Sequence, residues 1–226
     1  MAKADAQELA ITVDAKRRIS ALLRAPADAR ACYVLAHGAG AGMRHPFMAA
    51  IAEALAERGI ATLRYQFPYM EQGSRRPDVP AVAHATVRAA VAEAARAMPG
   101  VALVAGGKSF GGRMTSQAQA DAPLPGVRGL VFLGFPLHAA GAPSDERAQH
   151  LAAVSLPMLF LQGTRDTLAD PHLIESVVRG LGARATLRFF DGGDHSFRVP
   201  AKSGRHDADV RRELLDTMAQ WVRSLA

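Results

Sequence analysis

The feature that most constrains the fold is a repeated alternation of short apolar runs with longer amphipathic stretches. A continuous apolar run such as 32–36 is typical of a strand that is buried on both faces. Stretches such as 46–58 and 82–98 carry apolar residues at helical spacing and end at glycine or Pro-Gly. Strands that alternate with helices build βαβ units. The sequence therefore predicts an α/β fold with a mostly parallel sheet and helices on both of its faces.

The alternation extends along the whole chain. The pattern predicts strands over 9–13, 19–23, 32–36, 60–65, 101–105, 127–133, 158–161 and 186–190. It predicts helices over 46–58, 82–98, 111–120, 171–179 and 207–225. The first two strands are joined by a short polar turn, which favours a hairpin. Because the chain has no internal repeat and no long linker, we expect residues 1–226 to form a single domain.

Composition excludes several classes of protein. Of the 226 residues, 49% are hydrophobic and 21% are charged, which is typical of a soluble globular protein and excludes wholesale disorder. No apolar run approaches the roughly 20 residues that span a bilayer, and the first ten residues lack an apolar signal segment. The single cysteine and the scattered histidines indicate no metal site and no disulfide. We therefore expect a cytoplasmic protein with no cofactor and no membrane partner.

The net charge of +6 does not by itself indicate a nucleic-acid partner. The basic residues are spread along the chain with acidic residues between them, no basic run reaches five residues, and aromatic residues make up only 6%. We therefore expect a solvated, arginine-rich surface and no binding of nucleic acid. A basic entrance that favours acidic substrates remains the alternative.

The motif that points to chemistry is G-x-S-x-G at 107–111, with Ser109 at its centre. An apolar strand leads into the motif and a helix leaves it, which is the setting that a nucleophile elbow requires. Glycines two positions before and after the serine remove side chains that would collide with the neighbouring strand and helix. The start of the helix also directs free N–H groups toward the serine. The sequence therefore predicts Ser109 as a nucleophile.

A serine nucleophile needs a histidine base that is oriented by a carboxylate. In elbow proteins these partners follow the serine in the order acid, then histidine. Of the five histidines after Ser109, His195 lies in the loop that follows the last predicted strand, and Asp166 follows the strand before it. All three residues thus fall just past the carboxyl ends of predicted parallel strands. Asp170 and Asp194 remain as alternative acids.

An oxyanion formed at this site needs two N–H donors. We expect the first to be the backbone N–H of Phe110, the residue after the nucleophile. The second should come from the glycine-rich turn at 37–42, which follows the strand over 32–36. Ala39 is the preferred donor in this turn, and Gly40 is the alternative. His37 is expected to shape the turn rather than to transfer protons.

The stretch 66–80 is rich in Pro, Gly and Arg, and we predict that it is an irregular loop where ligands bind. Phe67, Tyr69 and Met70 are its candidate substrate-binding residues, although packing of the loop itself explains them equally well. Lys108 and the arginines at 75–76 are more typical of solvated side chains. They would recognise charge if the substrate were anionic.

Four segments carry a resemblance to a known family. They are His37-Gly38-Ala39-Gly40, Gly107-Lys108-Ser109-Phe110-Gly111-Gly112, Gln162-Gly163-Thr164-Arg165-Asp166 and Gly193-Asp194-His195-Ser196-Phe197. With them the chain resembles small α/β-hydrolases of the dienelactone-hydrolase-like kind from about residue 19 to its end. The resemblance implies an eight-stranded sheet with an antiparallel second strand, and serine hydrolase chemistry. Dienelactone hydrolases themselves use cysteine where this chain has Ser109.

The residues and the resemblance together predict a serine hydrolase that cleaves an ester or a related acyl bond of a small molecule. About twenty residues separate Pro136 from Pro157, where larger relatives insert a cap. We therefore expect little or no cap, an open site and a preference for short acyl groups. Nucleotide binding is disfavoured because a P-loop ending at Lys108 would need glycine where Ala102 stands. A non-catalytic hydrolase fold used as a binding or scaffold module is the alternative function.

Overall fold

Residues 5–225, which the computed structural model describes, form eight strands and six α-helices. The strands are β1 (Gln7–Asp14), β2 (Arg17–Arg24), β3 (Ala31–Ala36), β4 (Ile60–Tyr65), β5 (Ala102–Lys108), β6 (Val127–Leu133), β7 (Met158–Gly163) and β8 (Ala185–Phe190). The helices are α1 (Pro46–Ala56), α2 (Pro68–Glu71), α3 (Pro80–Ala97), α4 (Phe110–Asp121), α5 (Pro171–Leu181) and α6 (Asp207–Arg223). The first four residues, part of the stretch in which no signal segment is expected, lie outside the described range.

All eight strands join one sheet in the order β1-β2-β4-β3-β5-β6-β7-β8. β1 and β2 form the predicted hairpin, and β2 is antiparallel to both of its neighbours. The pairs from β4 through β3 to β8 are parallel. The predicted α/β fold, with an eight-stranded and mostly parallel sheet, is therefore confirmed. Parallel pairing brings the carboxyl ends of six strands to one edge of the sheet.

Helices cover both faces of the sheet, and β3 shows why. Its side chains alternate, so that Cys32 and Val34 belong to one buried cluster while Tyr33 and Leu35 belong to the other. The first cluster includes apolar residues of α3, α4 and α5, and the second includes those of α1 and α6. Full burial of each such aliphatic side chain contributes about 1.5–3 kcal/mol. A strand that is apolar at every position is stable only between two helical layers.

The stretch 66–80 is more regular than predicted. Pro68 opens the short helix α2, because proline fixes φ at a value suited to the first helical position. The carboxylate of Asp78 accepts a hydrogen bond from the Tyr69 N–H (3.1 Å) and ties the end of the stretch back to this helix.

The segment between β6 and β7 contains a single 3-10 helix, Glu146–Ala153, and no cap domain. In the described part of the chain, no lid domain therefore covers the carboxyl edge of the sheet. Within the same range, no helix combines the length and the apolar character needed to cross a membrane.

Candidate active site

Ser109 stands in the turn between β5 and α4 with a strained backbone. Its φ of 50° and ψ of −118° lie outside the regions that L-residues normally occupy. Among the described residues that are not glycine, only Ser109 and Phe197 have a positive φ. Strained residues of this kind cost on the order of 1–3 kcal/mol and cluster at functional sites. The serine is thereby held at the carboxyl edge of the sheet, at the start of α4.

The two glycines of the motif make this turn sterically possible. A Cβ on Gly107 would lie 2.3 Å from the carbonyl oxygen of Ala36. A Cβ on Gly111 would lie 2.6 Å from both the Ala36 Cβ and the His37 carbonyl oxygen. These distances are shorter than contacts to a Cβ atom can be. The blocking atoms are backbone and Cβ atoms at the end of β3, which cannot move aside as a flexible side chain could. The glycine spacing read from the sequence thus reflects the close approach of β3 to the turn.

Asp166 and His195 form a hydrogen-bonded pair at the same edge. The Asp166 Oδ2 lies 2.7 Å from the His195 Nδ1 and also accepts from the Gln162 Nε2 (2.5 Å). The Oδ1 accepts from the Leu168 N–H (2.8 Å). Because the carboxylate only accepts, the Nδ1 carries a proton, and in the neutral form of the ring the Nε2 is then unprotonated. A neutral histidine in this tautomer is able to receive a proton.

The alternative acids are committed to local backbone contacts. Asp170 caps α5 by accepting from the N–H of His172 (2.9 Å). Asp194 accepts from the N–H of Ser196 (2.7 Å) and so closes the loop in which His195 lies. Neither carboxylate takes the contact to the His195 Nδ1 that Asp166 makes.

Ser109 and His195 line one open cavity of about 340 Å³. Its wall also includes Ala39 from the glycine-rich turn, together with Phe47 and Met48 at the start of α1. The cavity therefore presents a hydroxyl, an imidazole and apolar surface on one side of the molecule.

The two predicted oxyanion donors lie in the glycine-rich turn and at the start of α4. Phe110 is the first residue of α4, and N–H groups in the first turn of a helix have no partner within it. Ala39 lines the cavity, whereas the Gly40 N–H donates to the Tyr69 hydroxyl (3.0 Å). Of the two candidates for the single donor expected from the turn, Gly40 is thus already engaged, and this favours Ala39.

His37 holds the glycine-rich turn in place, as predicted. Its Nε2 accepts from the Phe67 N–H (3.1 Å), and its Nδ1 lies 2.8 Å from the Gly38 carbonyl oxygen. The ring is fully buried, and this burial lowers the pKa of His37 to about 4. His37 is therefore neutral at physiological pH and serves as a structural link between the turn and the chain after β4.

The candidate substrate-binding residues Phe67 and Tyr69 have side chains buried beneath the turn, which favours the alternative that they pack the loop itself. Phe67 is 0% exposed and Tyr69 is 3% exposed. The Phe67 ring packs edge-on against His37 and Phe110, with centroid distances of 5.0 and 5.3 Å. Met70 is partly buried in the same cluster and is not in the cavity wall. These residues support the site from below.

Lys108 differs from the expectation of a solvated side chain. It lines the cavity beside Ser109, yet only 9% of it is exposed. Burial lowers the pKa of Lys108 to about 7, although the carboxylates of Asp166 and Asp194 act in the opposite direction. The arginines at 75–76, by contrast, are exposed as predicted. The sequence contains no signal for the burial of Lys108 beyond its place next to the serine.

A second serine–histidine contact exists away from the cavity. The Ser116 Oγ lies 2.7 Å from the His150 Nε2, and burial lowers the pKa of His150 to about 4. Ser116 is 0% exposed within α4, so no substrate reaches it. This pair connects α4 to the 3-10 helix and provides an internal control for Ser109. Among the described residues, no group of three or more His, Cys, Asp or Glu side chains is arranged to hold a metal.

Similar solved structures share this architecture. A serine hydrolase without a lid from Xanthomonas campestris is 21% identical, with a TM-score of 0.74 over 96% of this chain and 95% of that one. A dienelactone hydrolase from Anabaena variabilis is 19% identical, with a TM-score of 0.74 over 98% and 99%. Est1E from Butyrivibrio proteoclasticus is 15% identical, with a TM-score of 0.70 over 96% and 99%. At these identities the likeness concerns the fold.

A comparison of the sequence with family models identifies the family. The family model described as an alpha/beta hydrolase domain matches residues 29–223, which is most of the chain and includes Ser109, Asp166 and His195. The chain therefore belongs to this family of alpha/beta hydrolases.

Proposed function

We propose that the protein is a serine hydrolase that cleaves carboxylic esters of small molecules through an acyl-enzyme on Ser109. The observation that carries the proposal is the convergence of a strained serine and a histidine–carboxylate pair on one open cavity. A serine nucleophile requires a histidine base that is oriented by a carboxylate, and the 2.7 Å contact between Asp166 and His195 is of this kind. A strained turn at the serine is typical of a nucleophile elbow. The esterases among the similar folds, such as Est1E and the esterase domain of a Rhodothermus marinus protein, support the same reaction class.

In the acylation step the Ser109 Oγ attacks the carbonyl carbon of the ester while its proton passes to the His195 Nε2. The imidazolium that forms is stabilised by the buried carboxylate of Asp166. The negative charge on the carbonyl oxygen is bound by the N–H groups of Phe110 and Ala39, which do not have to reorganise as it develops. The intermediate then expels the alcohol, which takes its proton from His195.

In the deacylation step a water molecule donates a proton to the His195 Nε2 and attacks the acyl carbon. The same two N–H groups bind the second oxyanion. Its collapse breaks the bond to the Ser109 Oγ, which recovers a proton from His195, and the carboxylic acid leaves. The enzyme returns to its starting state without consuming a cofactor.

The cavity supports a preference for small substrates. Its volume of about 340 Å³ suits a short acyl group. Its wall offers the apolar side chains of Phe47, Met48 and Leu168, together with polar residues such as His45 and Ser196. Because no cap domain covers the described part of the chain, nothing there encloses a long acyl chain.

Hydrolysis of p-nitrophenyl acetate, butyrate and palmitate tests both the reaction and the preference. We expect kcat/KM to be higher for acetate and butyrate than for palmitate. The Ser109→Ala variant should lose at least about 10³-fold in kcat/KM, because the nucleophile acts as a unit with its base. The control is Ser116→Ala, which removes the other histidine-bonded serine and should stay within about threefold of the native rate. Equal activity of native protein and Ser109→Ala would refute the proposal and favour a binding or scaffold role.

A further inference from the structure

The amine of Lys108 is an unusual feature of this site. The side chain is 9% exposed, and its Nζ is buried without a hydrogen-bond partner among the described residues. A buried cation without a partner normally destabilises a fold, and a hydrocarbon side chain would fill the same space without that penalty. The ester cleavage described above assigns no role to this amine.

The location of the amine is defined by two glycines. The side chain of Lys108 passes Gly38, where an added Cβ would lie 3.5 Å from its Cγ. It ends beside Gly134, where an added Cβ would lie 3.1 Å from the Nζ and 3.3 Å from the His195 Nδ1. The amine and the imidazole therefore share the space that the missing side chain of Gly134 leaves open.

The side of the ring that the amine approaches decides what it can do. The Nδ1 is the nitrogen that contacts Asp166, whereas the proposed mechanism uses the Nε2 as the base for Ser109. The Nζ thus borders the same space as the Nδ1, beside Gly134, and its own surface is inaccessible to solvent. This position does not suit recognition of charge on a substrate. It does suit an electrostatic effect on the histidine.

We propose that Lys108 is a positioning residue of the Ser109 site, whose ammonium charge beside Gly134 weakens the hold of His195 on its proton. This inference rests on the proposed function, since it assigns a role within the same catalytic group. A cation near the imidazole disfavours the imidazolium. His195 then remains neutral, and able to act as a base, at a more acidic pH than it would without the charge. The imidazolium formed during acylation also gives up its proton to the alcohol more readily.

The other charged groups around the amine are consistent with this role. The carboxylates of Asp166 and Asp194, which follow β7 and β8, favour the ammonium form, whereas burial opposes it. His37, in the turn after β3, is buried with a pKa lowered to about 4 and adds no charge at neutral pH. The pKa of Lys108, about 7, means that the amine carries its charge in mildly acidic solution.

The size of the effect follows from Coulomb's law. The contacts at Gly134 place the Nζ and the Nδ1 no more than about 6.4 Å apart. At that separation and an effective dielectric constant of about 20, a unit charge shifts a neighbouring titration by on the order of one to two pH units. The substitution Lys108→Met removes the charge and keeps the unbranched chain. We expect it to move the acidic limb of the kcat/KM profile for p-nitrophenyl acetate upward by about one pH unit or more. Lys108→Arg, which keeps a charge, should restore at least part of the native profile.

A second measurement on the same variants does not depend on turnover. The imidazole signals of His195, assigned in NMR spectra by their loss in His195→Gln, are titrated in native protein and in Lys108→Met. The midpoint should rise by about one pH unit in Lys108→Met and should be unchanged in Lys16→Met, which removes an exposed lysine. Thermal unfolding checks that each variant is folded, and Lys108→Gln replaces Lys108→Met if the latter is not.

Two results would overturn the inference. One is a titration midpoint of His195 that differs by less than about 0.3 pH unit between native protein and folded Lys108→Met. The other is a uniform loss of kcat in Lys108→Met with an unshifted pH profile, which would indicate a purely structural role. If native protein cleaves no ester, the proposed function fails, and the NMR titration still decides whether Lys108 controls the proton on His195.

Discussion

The backbone strain at Ser109 makes a quantitative prediction that does not require knowledge of the substrate. With φ at 50° and ψ at −118°, the Cβ of any L-residue crowds its own backbone, at a cost on the order of 1–3 kcal/mol. Ser109→Gly and Ser109→Ala both remove the hydroxyl and differ only in that Cβ. Glycine relieves the strain in the folded state. It also makes the unfolded chain more flexible, which lowers the free energy of unfolding by about 0.4–1 kcal/mol relative to alanine. We therefore expect Ser109→Gly to be more stable than Ser109→Ala by about 0.5–2 kcal/mol.

Urea unfolding followed by circular dichroism measures this difference. With a denaturant slope of about 1–3 kcal/mol/M, a difference of 1 kcal/mol moves the midpoint by roughly 0.3–1 M. The matched control is Ser116, which lies in the regular interior of α4. There glycine should be less stable than alanine by about 1 kcal/mol. If glycine is also the less stable choice at position 109, the serine is not held in a strained turn and the reasoning fails.

Three further predictions concern the carboxylate, the close glycine and the buried histidine. Asp166→Asn should lower kcat/KM for p-nitrophenyl acetate by about 10⁴-fold, since the amide no longer fixes the tautomer of the base; a loss below tenfold would contradict this role. In Gly111→Ala the added Cβ would lie 2.6 Å from the Cβ of Ala36, so the free energy of unfolding, measured by urea denaturation, should fall by about 1–3 kcal/mol. The control is Gly180→Ala, which has open space around the added Cβ and should not lower the free energy of unfolding. Because the pKa of His37 is lowered in the folded protein, the unfolded chain binds the additional proton as pH falls from 6.5 to about 4. His37 should then contribute up to about 3 kcal/mol to the fall in the free energy of unfolding, beside the contribution of His150, whose pKa is also lowered to about 4. His37→Gln should reduce the dependence when unfolding is compared at pH 7 and pH 4.5, and an unchanged dependence would show that His37 does not contribute to it.

The strands were predictable because burial on both faces leaves a continuous apolar signature. β4 and β6 begin and end where the pattern placed them, and β3 begins one residue earlier. The pattern ended β5 three residues early, at Ala105, because the glycines that follow carry no strand signal. In the structure they continue to pair with β6 up to Lys108. Once the strands are parallel, the residues that follow them meet at one edge, which is how the candidate site could be assembled from sequence.

The environment of individual side chains was not predictable in the same way. An aromatic residue after a strand looks the same in a sequence whether it lines a cavity or packs beneath a turn. For Phe67 and Tyr69 the outcome depends on α2, which folds them under the glycine-rich turn. The burial of Lys108 depends on the space at Gly134 and on the loop after β8, which are distant in sequence. Such contacts between remote segments leave no local pattern.

The central claim is that Ser109 is an activated nucleophile, and a fluorophosphonate probe tests it most directly, because such probes trap activated serines whatever the natural substrate is. Intact mass is measured after the probe is added to native protein, Ser109→Ala and Ser116→Ala. The account predicts one adduct on native protein and on Ser116→Ala, and none on Ser109→Ala. An adduct that persists in Ser109→Ala, or no adduct on well-folded native protein, would contradict it.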